Sequence, residues 1–122
     1  ELESILLKIY IKNKINKIIK TKKLNSYKEA KKVIVISYEY ENLTLEDDLY
    51  ISSTNFKAYD KDNNSLETYE VIDYKYPNKV SKGRKATAEM VFALNNDSNY
   101  IELEFYDNPY NSKSNTKIAL EW

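Results

Sequence analysis

The chemistry open to this chain is bounded first by two absences. Its 122 residues contain no histidine and no cysteine. Ser-His-Asp and Cys-His nucleophiles, structural zinc, histidine-ligated haem and disulfide scaffolds are therefore excluded. Carboxylate, hydroxyl and lysine chemistry remain, with oxygen-ligated calcium. Asp60, Asp62 and Asn64 alternate as at the opening of a calcium loop. Ser65 then stands where that loop needs glycine, and Val71 where it needs its closing glutamate. An Asx-rich hairpin turn accounts for the run, and no metal site is expected. Glu46, Asp47 and Asp48 read as a solvated loop, with calcium or a basic partner as the alternative. A glycosidase needs two carboxyl groups about 5–10 Å apart across a cleft, and no spacing here singles out such a pair. The expectation is a non-enzymatic chain without a cofactor.

Tyrosine is the unusual residue, at 12 of 122. Its ring supplies contact area at low entropic cost, as recognition surfaces require. Tyr38 and Tyr40 alternate in phase with Ile34 and Ile36 and are expected in a core. Tyr69, Tyr74, Tyr76, Tyr106 and Tyr110 are expected to be exposed around the 74–79 and 107–115 loops. They form the candidate contact patch for a protein, peptide or envelope-polymer ligand.

Charge supplies the second candidate. The net charge is zero, but residues 1–32 hold ten lysines against three glutamates, a net of +7, leaving −7 for residues 33–122. Lys14, Lys17, Lys20, Lys22 and Lys23 could dock on anionic lipid or wall polymer, each contributing up to about 1 kcal/mol near such a surface. The alternatives are a basic segment packed on its own acidic domain and a lysine-solubilised strand edge. Nucleic acid is not the expected partner, because Arg84 is the one arginine and the aromatic residues sit mostly in the acidic half.

The elements that must position these residues are strands. One glycine and two prolines leave turns to Asn, Asp, Ser and Lys. Period-two alternation marks 4–11, 33–40, 100–106 and 116–122, and further β segments fall within 49–59, centred on Phe56 and Ala58, and at 66–72 and 86–94. Residues 12–24 read as a strand with an irregular extension, against a basic amphipathic helix as the alternative. About seven evenly spaced strands argue for an all-β, immunoglobulin-like sandwich, with residues 1–122 one domain and 1–32 its basic N-terminal strand and extension. No apolar run reaches the length of a membrane helix. Asn, Lys, Ile and Tyr make up 56 residues, a usage that fits a low-GC bacterium.

Three segments carry a family likeness. They are Val33-Ile34-Val35-Ile36-Ser37-Tyr38-Glu39-Tyr40-Glu41-Asn42, then Asn55 through Asn64, then Val80-Ser81-Lys82-Gly83 followed by Ala88 to Leu94. Their order and spacing resemble the telokin-like, immunoglobulin-like domains of unknown function in lipoproteins and secreted proteins of low-GC Gram-positive bacteria. Asn64 stands where relatives place a hairpin glycine. The resemblance implies an extracytoplasmic sandwich, secreted or tethered by a lipidated residue upstream of Glu1, and it implies no catalytic residues. The function expected is a non-enzymatic binding module. Envelope docking through the lysines is the alternative, and a calcium-dependent adhesion module is a more distant one.

Overall fold

The computed structural model describes residues 5–15, 32–69, 74–96 and 98–122. Among the described residues, seven strands form two antiparallel sheets. The first sheet has the order β1-β2-β5, from β1 (Ile5–Ile15), β2 (Lys32–Asn42) and β5 (Lys85–Leu94). The second has the order β4-β3-β6-β7, from β3 (Phe56–Tyr59), β4 (Ser65–Leu66), β6 (Tyr100–Phe105) and β7 (Thr116–Glu121). The result is the expected immunoglobulin-like β-sandwich.

Alternation builds the core. Ile34, Ile36, Tyr38 and Tyr40 of β2 face Phe56, Ala58, Ile101, Leu103 and Phe105 of the other sheet, all buried. Tyr38 stacks on Tyr40 at 5.9 Å between ring centroids and meets Phe56 edge-on at 5.6 Å. Phe56 in turn meets Phe105 at 5.2 Å. Each such buried ring contributes about 1.5–3 kcal/mol through removal of apolar surface from water.

One expectation about the strands, that for 66–72, needs correction, and two others are sharpened. Within 49–59 the strand is Phe56–Tyr59, the part on which that segment was expected to centre. Before it, Leu49 makes a lone bridge to Val80, and Ser53–Asn55 form one 3-10 turn. Ser52 and Asn55 close that turn as a reciprocal capping box, an alternative to the strand ladder that the serines and asparagine make available. The 66–72 segment joins the second sheet only through Ser65–Leu66. Thr68 has crossed to the first sheet and bridges Phe92, and residues 70–73 lie outside the described residues. In β1 the pairing with β2 slips by one residue between Ile11 and Asn13. This β-bulge breaks the alternation after Ile11 that the side-chain pattern follows up to there. Residues 12–15 are strand, and 16–24 fall outside the described residues.

Tight turns need few special residues. Gly83 has φ +83 in the turn before β5. In the β3–β4 hairpin the left-handed residue is Asn63, at φ 66, and not Asn64. Asparagine tolerates that region better than other non-glycine residues, so the hairpin closes without glycine.

Candidate functional site

Two buried tyrosines fix the geometry of a cleft on the flank of the sandwich. The Tyr38 hydroxyl donates to the Ile51 carbonyl at 2.8 Å. The Tyr40 hydroxyl donates to the Asn78 carbonyl and accepts from the Asn78 N–H. One strand face thus tethers both the 49–53 connection and the 74–80 segment. Leu49 and Val80 exchange backbone hydrogen bonds at 2.8 and 2.9 Å and join the two segments at their base. Burial pushes the Tyr38 phenol well above its usual pKa, with Tyr40 adding to the effect. Tyr40 is raised as well, chiefly by burial. Both hydroxyls therefore stay protonated donors at physiological pH.

The third wall comes from the sheet crossing. Tyr69 N–H donates to Val91 and Ala93 N–H to Glu67, which lays residues 67–69 along the outer edge of β5. Lys75 is clamped in both directions by Glu89. The Glu89 N–H donates to the Lys75 carbonyl at 2.9 Å, and the Lys75 N–H donates to Glu89 Oε1 at 3.0 Å. Between these walls lies a cleft of about 220 Å³ lined by Tyr38, Tyr50, Tyr69, Tyr74 and Tyr76. Ser52, Ser53 and Thr68 add hydroxyls, and Pro77, Met90 and Val91 add apolar surface. Glu89 is the one charged residue of the lining among the described residues. Tyr74 and Tyr76 touch ring to ring at 4.6 Å.

The five tyrosines expected in one exposed patch separate into two groups. Tyr69, Tyr74 and Tyr76 line the cleft, and Tyr76 is 62% exposed. Tyr69 is buried, contrary to expectation, because the sheet crossing lays it over Val33 and Val91 on the outer face of the first sheet. Tyr106 and Tyr110 do not line the cleft. Tyr106 is also buried, a second correction. Its hydroxyl donates to Glu104 at 2.8 Å, and Lys57 Nζ lies 4.9 Å from its ring centroid. The Glu104 hydrogen bond, followed by burial, pushes Tyr106 up to about 12. Tyr110 stands alone in the 107–115 loop at 94% exposure. The alternation Leu49-Tyr50-Ile51, buried on both sides of an exposed Tyr50, was the available signal for the residue that sequence reasoning missed.

The lysine and acidic candidates are placed differently. Lys14 lies on β1 opposite Ile34, whereas Lys17, Lys20, Lys22 and Lys23 lie outside the described residues. Of the early basic residues, Lys32 is buried and bonds the Ser98 carbonyl and Asn99 Oδ1 at 2.9 and 3.0 Å. Glu46 pairs with Lys82 at 2.7 Å on the surface, and Asp47 and Asp48 are exposed. The Asp60 carboxylate accepts hydrogen bonds from the Asp62 and Asn64 N–H groups and from the Asn64 and Asn96 side chains. Burial alone would raise its pKa, but these bonds from Asn64 and Asp62, with Lys61 nearby, bring it below the usual value. Its spacing is that of a turn held from within.

Solved structures reproduce the fold at low sequence identity. A Bacillus subtilis protein described as "a putative lipoprotein (ycdA)" superimposes with TM-score 0.67 and 16% identity, over 100% of this chain and 39% of its own. The chain thus spans well under half of that protein. The yjhA protein of Bacillus subtilis aligns at TM-score 0.56 and 20% identity, covering 88% of this chain and 87% of its own. MPT63, a secreted protein of Mycobacterium tuberculosis, aligns at 0.56 and 11%, covering 98% and 85%. At these identities the likeness concerns the fold. No curated protein sequence matches the chain. A family model does match, over residues 8–107, and the chain belongs to the family described as Domain of unknown function (DUF5067).

Proposed function

We propose that this domain is a non-catalytic binding module that works outside the cytoplasm and takes its ligand in the tyrosine-lined cleft. The observation that carries the reading is the convergence of Tyr50, Tyr69, Tyr74 and Tyr76 on one cleft of about 220 Å³. Concave sites that pair aromatic surface with a few placed polar groups hold small ligands or peptide side chains, and Ser52, Ser53, Thr68 and Glu89 set polar groups among the rings here. Tyrosines favour that role because two torsions order a large amphipathic surface. The extracytoplasmic assignment draws on two structural neighbours, one described as a lipoprotein and one a secreted protein.

Retention on isolated Bacillus cell envelopes tests the reading. The wild-type domain is expected to be retained equally at low and high salt, because the cleft acts by packing and not by long-range charge. The Tyr50→Ala/Tyr76→Ala variant is expected to wash through. Retention that collapses with salt and ignores the tyrosine changes would overturn the cleft and favour docking through lysines.

A further inference from the structure

The sandwich protects its open strand edges unequally. The outer edge of β5 is covered by residues 67–69, and β4 is only two residues long. At the far edge of the first sheet, β1 carries a bulge, and its sequence holds three lysines, Lys8, Lys12 and Lys14, and no acidic residue. Bulges and like charges are devices that keep edges from pairing. The last edge, β7, has neither. It runs six residues in unbroken register with β6, and no strand among the described residues pairs with its other side.

The free groups on that side follow from parity. Trp122 N–H donates to the Asn99 carbonyl, so the residues in phase with it turn their backbone groups toward β6. Lys117, Ala119 and Glu121 therefore turn theirs outward, and all three are exposed. Antiparallel pairing of β7 with a second copy, centred on Ala119, sets Lys117 opposite Glu121 of the second copy, and the reverse. It also sets half-buried Ile118 opposite Leu120 of the second copy on the core side. Centring on Lys117 or on Glu121 instead would place like charges directly opposite, which disfavours those registers. We infer that β7 is a self-complementary edge through which two copies of this chain form a two-fold dimer with one sheet continuous across both.

Sedimentation equilibrium over a concentration series, with the oligomer fraction as readout, tests this. The wild type is expected to show a reversible monomer–dimer equilibrium. Lys117→Glu puts acid opposite acid at both ends and is expected to weaken dimerisation about tenfold. Adding Glu121→Lys to it restores opposite pairing and should restore the wild-type constant. Ala119→Pro removes an outward N–H that β6 does not use, and should give a monomer with unchanged far-UV circular dichroism. A wild type that is monomeric throughout would overturn the proposal. So would a dimer indifferent to Lys117→Glu, or one not rescued by the charge swap.

Discussion

The Asp60 hairpin and the tyrosine cleft are both polar, yet they dispose of their polar atoms in opposite ways. Asp60, like Asn42 and Asn55, is buried and turned inward onto the chain's own backbone. Asn42 Oδ1 accepts from Leu45 N–H, and its Nδ2 donates to the Asp47 and Val80 carbonyls. Asn55 receives Ser52 N–H and donates to the Tyr106 carbonyl. Around the cleft, Tyr38 and Tyr40 are used the same way, but Tyr50 and Tyr76 present their rings to solvent, at 49% and 62% exposure. A polar cluster whose atoms are satisfied internally holds a turn. Aromatic surface held open by rigid tethers is available to something else. The alternate Asp and Asn spacing of the hairpin is used up in holding its own turn.

Substitutions can break this contrast, beginning with the inward-facing groups. Asn42→Ala removes a buried side chain that serves three backbone groups. It is expected to lower unfolding free energy by about 2–4 kcal/mol in urea titration, since buried backbone atoms lose their partners. Next is Asp60. Its folded pKa lies below the unfolded carboxylate value of about 3.9. The stabilisation is thus fully present above that value and disappears as pH falls through the folded pKa. Asp60→Asn should cost roughly 1–2 kcal/mol at neutral pH. It should also flatten the acid limb of the stability profile, measured by denaturant midpoints between about pH 2 and 6.

Tyr38→Phe joins the two regions. It keeps the core ring and deletes only the hydroxyl that tethers Ile51. A loss of about 1 kcal/mol in thermal unfolding is expected, together with weaker envelope retention as the 49–53 wall loosens. Tyr50→Ala/Tyr76→Ala is the reverse case. Stability should change by no more than about 0.5 kcal/mol per site, as at exposed positions generally, while retention is lost.

What was legible in the sequence follows the same division. The strands of the core were readable because their inward faces are buried and apolar, and that writes period two into residues such as Ile34 to Tyr40 and Ile101 to Phe105. The bulge after Ile11 was not, because one inserted residue carries no signature of its own beyond the broken phase. Tyr38 and Tyr40 were correctly placed in the core, but their second role as loop tethers depends on hydroxyl partners 13 and 38 residues away. The cleft was half-legible: Tyr69, Tyr74 and Tyr76 were named, while Tyr50 is brought beside Tyr74 and Tyr76 by the Leu49–Val80 backbone pairing, which no local pattern announces. Tyr106 misled because its phase opposes Phe105, and exposure was the natural reading. Lys57 and Glu104, paired across β3 and β6, cover it instead.

The most direct test of the cleft as the binding site is a backbone amide chemical-shift map of the ¹⁵N-labelled domain titrated with solubilised Bacillus envelope fragments. The account predicts saturable shifts at Tyr50, Ser52, Thr68, Tyr69 and Tyr76, with the amides of Asp60 to Asn64 unmoved. Shifts concentrated at the Asp60 hairpin or at Glu46 to Asp48, with the cleft silent, would contradict it.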